Sequence, residues 1–149
     1  MLQRLRALLT ASTPTPEANE RRLQLAAAAL LVEIGKADYQ RDPREQAAIL
    51  AAVRCAFMQL DDAALNDLIA EAEASSAEST SLYEYTSLIN QDYSEEDKYR
   101  LLRQLWRVAG ADGDIDKYED NLIRRIAELI YLPHSQFIRA KLEVLGSVG

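Results

Sequence analysis

Five acidic side chains fall within nine consecutive residues of this 149-residue chain: Asp112, Asp114, Asp116, Glu119 and Asp120. Carboxylates crowded this closely repel one another, and the repulsion is relieved by solvent, by a nearby Arg or Lys, or by a bound cation. A donor set made only of oxygens suits a hard divalent cation: calcium, magnesium or manganese. The spacing Asp112, Asp116, Glu119 also occurs 74 positions earlier, as Asp38, Asp42, Glu45. The same shift pairs Leu31 with Leu105, Ile34 with Val108, Ala37 with Ala111 and Ile49 with Ile123. Apolar and acidic positions keep one register, so an internally duplicated helix–acidic loop–helix unit is expected. Glu33, between Val32 and Ile34, adds a carboxylate from the wall of the first helix.

Helix capping explains part of this pattern. Asp42 with Glu45, and Asp116 with Glu119, stand at N-cap and N3 spacing, where they would satisfy amides at a helix start. Capping leaves Asp38 and Asp112 unexplained, since each closes the preceding helix at the end where the dipole disfavours a carboxylate. The second segment is superficially like an EF-hand, with acids at 112, 114 and 116. Its sixth position is Lys117 instead of Gly and its twelfth is Ile123 instead of a bidentate Glu, which excludes an ordinary calcium loop. Copy one carries Tyr39 and Gln40 where copy two has Gly113 and Asp114, and so offers fewer ligands.

The bulk properties narrow the function classes. The net charge is −7, which argues against broad electrostatic binding to nucleic acid. The single Cys55 excludes an internal disulfide. No apolar run reaches the roughly 20 residues of a transmembrane helix, and a cytoplasmic location is expected. No nucleophile–base pair, phosphate loop or zinc spacing is present, so the expectation is a non-catalytic protein. The alternative to a cation-binding module is a metal-free acidic module that docks a basic protein partner.

The elements that position the acids follow from helical periodicity, with no alternating strand runs. Residues 1–15 read as an amphipathic arm, with Leu2, Leu5 and Leu9 on one side, followed by a Pro-containing hinge. A helix then runs from about Pro16 to Ala37, opened by Thr15 and apolar all round from Ala26 to Leu31. The next, to about Met58, places Ile49, Ala52, Val53 and Ala56 on a core face, with Cys55 packed nearby. Asp61 or Asp62 caps a helix bearing Leu65, Leu68 and Ile69 that runs out near Ser75. Ser81 and Glu84 form a capping box for a helix with Tyr85 and Ile89. Ser94 to Asp97 opens a helix whose apolar stripe includes Leu101, Leu105 and Trp106, and the acidic segment and its following helix come next. Pro133 forces a break, with His134 in a surface or capping role, and Phe137 to Leu145 form the last helix.

In this helical setting the chain resembles the tellurite-resistance protein B (TerB-like) family. The likeness is carried by Leu30-Leu31-Val32-Glu33 with Ala37-Asp38 and Glu45, and by Leu105-Trp106-Arg107-Val108-Ala109 with Ala111-Asp112-Gly113, Asp116 and Glu119. Phe137-Ile138-Arg139-Ala140 adds to it, and the similarity spans about Leu23 to Leu145. Tyr39 departs from the pattern, which usually has Gly there. The resemblance implies an all-α bundle of about seven helices with pseudo-symmetric halves, copy one at about 23–75 and copy two at about 94–146. It further implies a role in bacterial tellurite and stress resistance, an acidic divalent-cation site, and a membrane-associated stress complex as partner.

Overall fold

The computed structural model describes residues 15–36, 43–78, 81–111, 113, 115 and 117–146, with the side chains of Pro43 and Glu45 excepted. Among these residues the chain is all-α: seven helices and no strand. They are α1 (Pro16–Lys36), α2 (Pro43–Ala56), α3 (Asp62–Glu78), α4 (Tyr83–Asp92), α5 (Glu95–Ala109), α6 (Lys117–Leu129) and α7 (His134–Leu145). No helix among them is long and apolar enough to cross a membrane. The expected amino-terminal arm and the hinge up to Pro14 lie outside the described residues.

Helix α1 is the axis of the bundle and packs on α2, α3, α4, α5 and α6. Its sequence explains why. Ala26, Ala27, Ala28 and Ala29 are all buried, and their small side chains let several helices approach one backbone. Gly35 extends that close approach, since a Cβ built there would stand 2.7 Å from Cδ1 of Ile49 on α2. Thr15 caps α1 as expected, its Oγ1 accepting from the Ala18 amide at 3.1 Å.

In the expected first copy α1 packs most extensively on α3, and in the expected second copy α5 does so on α7. The 74-residue offset is kept at the starts of α2 and α6, Pro43 and Lys117. It is kept in burial too: Leu31 and Leu105, Ile34 and Val108, and Ile49 and Ile123 are all at most 2% exposed. Between them α4 packs chiefly on α1, and its Asn90 amide donates to the Leu129 carbonyl of α6 at 2.8 Å. Helix α6 ends where Tyr131 takes a φ of 61° and Leu132 N–H reaches back to the Ala127 carbonyl at 2.9 Å, and Pro133 then starts α7.

Several local expectations need correction. Cys55 is exposed, and so is Ala56, because α2 ends at Ala56 and the following turn carries Phe57 into the core instead. The Ser81–Glu84 capping box does not form at the start of α4. The N-cap is Leu82, without a side-chain cap, and Ser81 Oγ accepts from the Tyr83 amide. Helix α3 continues past Ser75 to Glu78, because Ser76 is buried against α1 instead of starting a loop. The capping box lies at Ser94, whose hydroxyl accepts from the Asp97 amide while Asp97 accepts from Ser94 N–H.

Candidate metal centre

The acidic segment of the second half hangs between two strongly amphipathic helices. Helix α5 buries Leu101, Leu102, Leu105, Trp106, Val108 and Ala109. It closes at Gly110, whose amide donates to the Trp106 carbonyl at 2.9 Å, and the Ala111 amide tightens the turn by donating to Val108 at 3.2 Å. Gly113 N–H then donates to the Gly110 carbonyl at 3.0 Å. Ile115 packs half-buried against the core and anchors the segment before α6 begins.

Gly113 has a φ of 87°, in the left-handed region that L side chains rarely adopt, yet a Cβ there would meet nothing within 4 Å. The constraint is therefore dihedral and not spatial. Gly113→Ala is expected to cost about 1–2 kcal/mol in a denaturant melt, and Gly113→Asn less, because Asn tolerates the left-handed conformation. Equal losses for both would point to space instead of φ.

Glu119 occupies the third position of α6 and is 1% exposed. A carboxylate withdrawn from water so completely is expensive unless something compensates it, and the amino end of α6 is one such compensation. Its neighbour Asp120 pairs with Lys141 of α7 at 2.8 Å. Glu33 sits on α1, half-buried, and is turned toward α3. It accepts a hydrogen bond from Ser76 Oγ, and Lys36 Nζ lies 3.6 Å away. Lys36 also donates to Ser76 Oγ at 2.9 Å and to its carbonyl at 3.2 Å. Asp38, Asp42, Asp112, Asp114, Asp116 and the Glu45 side chain lie outside the described residues, and with Asp42 and Asp116 go the residues expected to cap α2 and α6. Among the described residues no three Asp, Glu, His or Cys side chains gather as a metal site. Glu119 fits a hard-cation site, as an oxygen donor already freed of most of its water. Glu33 fits less well, because Ser76 and Lys36 engage it.

Residues 24–142 match the family model described as Tellurite resistance protein TerB. The chain belongs to the TerB family. No curated protein and no solved structure matches it at a significant level. The TerB match runs from within α1 to within α7 and includes both acidic segments, Asp38 to Glu45 and Asp112 to Glu119.

This TerB chain carries a second concentration of charge that the acidic spacing does not point to. Glu143 on α7 meets Arg139 Nε at 3.1 Å and Arg103 Nε at 3.7 Å. The Tyr99 hydroxyl and both arginines hold the Glu143 carboxyl below its ordinary range, while withdrawal from solvent opposes them. Tyr99 titrates above its ordinary range, first through desolvation and then through Glu143. These groups line a depression of about 520 Å³ between α5 and α7. Its described lining sets Glu95, Glu96 and Glu143 beside Arg100, Arg103 and Arg139, with ion pairs at Arg100–Glu96, Arg103–Glu143 and Arg139–Glu143. The Glu96–Arg100 and Arg139–Glu143 pairs, each four residues apart, are legible as local spacings, whereas Arg103–Glu143 is not.

His134 is exposed at the start of α7, and its ring stacks on Phe137 at 5.4 Å.

Proposed function

We propose that this chain is a non-catalytic module of a bacterial tellurite- and stress-resistance system that binds a divalent cation, calcium, magnesium or manganese, through its acidic loops. Asp112, Asp116 and Glu119 are the principal ligands, with Asp114 beside them. Asp38, Asp42, Glu45 and Glu33 form a second set. Glu119 carries this reading: a carboxylate that is 1% exposed, in the first turn of α6, adjoining a segment whose turn demands glycine at Gly113. Membership of the TerB family supports it. Cation binding would relieve the repulsion among the clustered acids, and a protein partner, in a membrane-associated complex, would read the loaded loop.

The competing reading, a metal-free acidic module for a basic partner, draws support from Asp120 and Glu33, which lysines of this chain already engage. Isothermal titration separates the two. Wild type is expected to take up calcium, magnesium or manganese with measurable heat, and an Asp112→Asn/Glu119→Gln variant to lose it. Heat indistinguishable from dilution in both proteins would leave the metal-free reading, whose salt-sensitive complex survives a chelator.

A further inference from the structure

A second concavity, of about 450 Å³, opens between α1, the end of α2 and α5, and none of its described lining residues belongs to either acidic segment. That volume lies within the span of about 300–1,000 Å³ typical of small-molecule sites. Its floor is apolar and buried: Ala27 and Leu31 from α1 and Leu101 from α5. One wall is cationic. Arg100, Arg103 and Arg107 stand three and four residues apart on α5, a spacing that sets all three on one side of the helix. Asp97 is the one acid among the described lining residues, which leaves a surplus of positive charge in a chain whose net charge is −7.

The internal pairs of Arg100 and Arg103 are loose. Arg100 meets Glu96 at 2.8 Å, but the two side chains are 65% and 74% exposed, so the pair is weak and exchangeable. Arg103 Nε is buried with no hydrogen-bond partner among the described residues, and Glu143 stands off at 3.7 Å. Arg107 is exposed and forms no ion pair among the described residues. At the cavity edge the Tyr93 hydroxyl is pushed up to about 12 by burial and by Asp97, which marks this side as poorly hydrated. Arginines along a solvated helix need no ligand. Here they wall a concavity with an apolar floor, and that combination selects for a molecule with two unlike ends.

We propose that this concavity binds a small amphiphilic oxyanion, an apolar body bearing one carboxylate or phosphate group, whose head meets Arg100, Arg103 and Arg107 and whose body lies on Ala27, Leu31 and Leu101. The guanidinium fork matches the planar or tetrahedral oxygens of such a head, and partial desolvation strengthens the pairing.

Cys55 supplies the test, because it is exposed, lines the cavity and is the chain's only cysteine. Octanoate and octyl phosphate, added in turn at millimolar concentration, are expected to slow modification of Cys55 by neutral N-ethylmaleimide and to give saturable heat in calorimetry. Inorganic phosphate, a head without a body, and 1-hexanol, a body without a charged head, are expected to bind roughly tenfold more weakly or worse. An Arg100→Gln/Arg107→Gln variant should lose roughly tenfold in affinity for the octyl anions while its unfolding temperature stays at the wild-type value. Loss with either anion alone shows which head is preferred and supports the site. Unprotected Cys55 and absent heat with both octyl anions overturn the proposal, as does phosphate or hexanol binding equally well, or undiminished affinity in the double variant.

Discussion

Trp106→Ala is expected to lower stability by about 3–5 kcal/mol, the range for truncating a large aromatic in a packed core. For a domain of this length that corresponds to a fall in Tm of about 6–20 °C. Trp106 is 0% exposed and is the only tryptophan in the chain. Its ring stands 5.2 Å from that of Phe137 on α7, and Lys141 Nζ lies 5.2 Å from its centroid. Removing it unpacks the α5–α7 pairing on which the second half rests. Trp106→Phe makes the contrast. Its indole Nε1 is buried with no hydrogen-bond partner among the described residues, so phenylalanine removes an unsatisfied donor as well as some volume. The two effects oppose, and a cost of about 1 kcal/mol or less is expected for Phe. Circular dichroism through a thermal melt checks both variants, and similar losses for Ala and Phe would refute the packing account.

The order of helices and most of the core are legible in the residues wherever apolar periodicity is strong. Leu101, Leu102, Leu105, Trp106, Val108 and Ala109 all lie buried on α5, as their spacing requires. The run Ala26 to Leu31 has no polar side, and the only element that can bury such a run is a central helix, which α1 is. Legibility fails at helix ends and across long separations. Ala56 and Cys55 continue the periodicity of α2, but the helix stops there and Phe57 takes the core position. Ser81 satisfies the letter of a capping box, yet α4 starts one residue too late for it, and its hydroxyl serves Tyr83 instead. Glu33 is recognisable as an acid in need of a partner. Ser76, however, lies 43 positions away, and no local pattern links the two. The arginine wall of α5 is likewise readable as i, i+3, i+7 spacing, whereas the floor opposite it comes from α1. A candidate site formed within one loop, as at Glu119, announces itself by residue type. One assembled from three helices does not.

Glu119→Met separates a carboxylate kept for its ligand from one kept for the fold. Met is unbranched and of similar length, and it can occupy the buried space at the start of α6 without a charge to desolvate. It gives up the interaction of a carboxylate with the helix amino end, worth about 0.3–1 kcal/mol, together with the polar contact that Glu119 makes in the fold, and recovers the desolvation cost of a side chain that is 1% exposed. In chelator the variant is therefore expected to melt about 1–3 kcal/mol below wild type. The proteins should diverge when the cation is added. At a concentration about a hundredfold above Kd, wild type gains about 2.7 kcal/mol, or about 5–10 °C in Tm, because only the folded state holds the site. The variant, short of one proposed ligand, should gain little. Glu119→Gln is the companion: it keeps length and hydrogen-bonding capacity but not charge, so it too should be insensitive to the cation. A wild type unmoved by calcium, magnesium and manganese would refute the cation reading. A shift equal in all three proteins would place the cation elsewhere than at Glu119. A Met variant that melts far below wild type even in chelator would instead assign Glu119 to the fold, where its burial serves packing and capping alone.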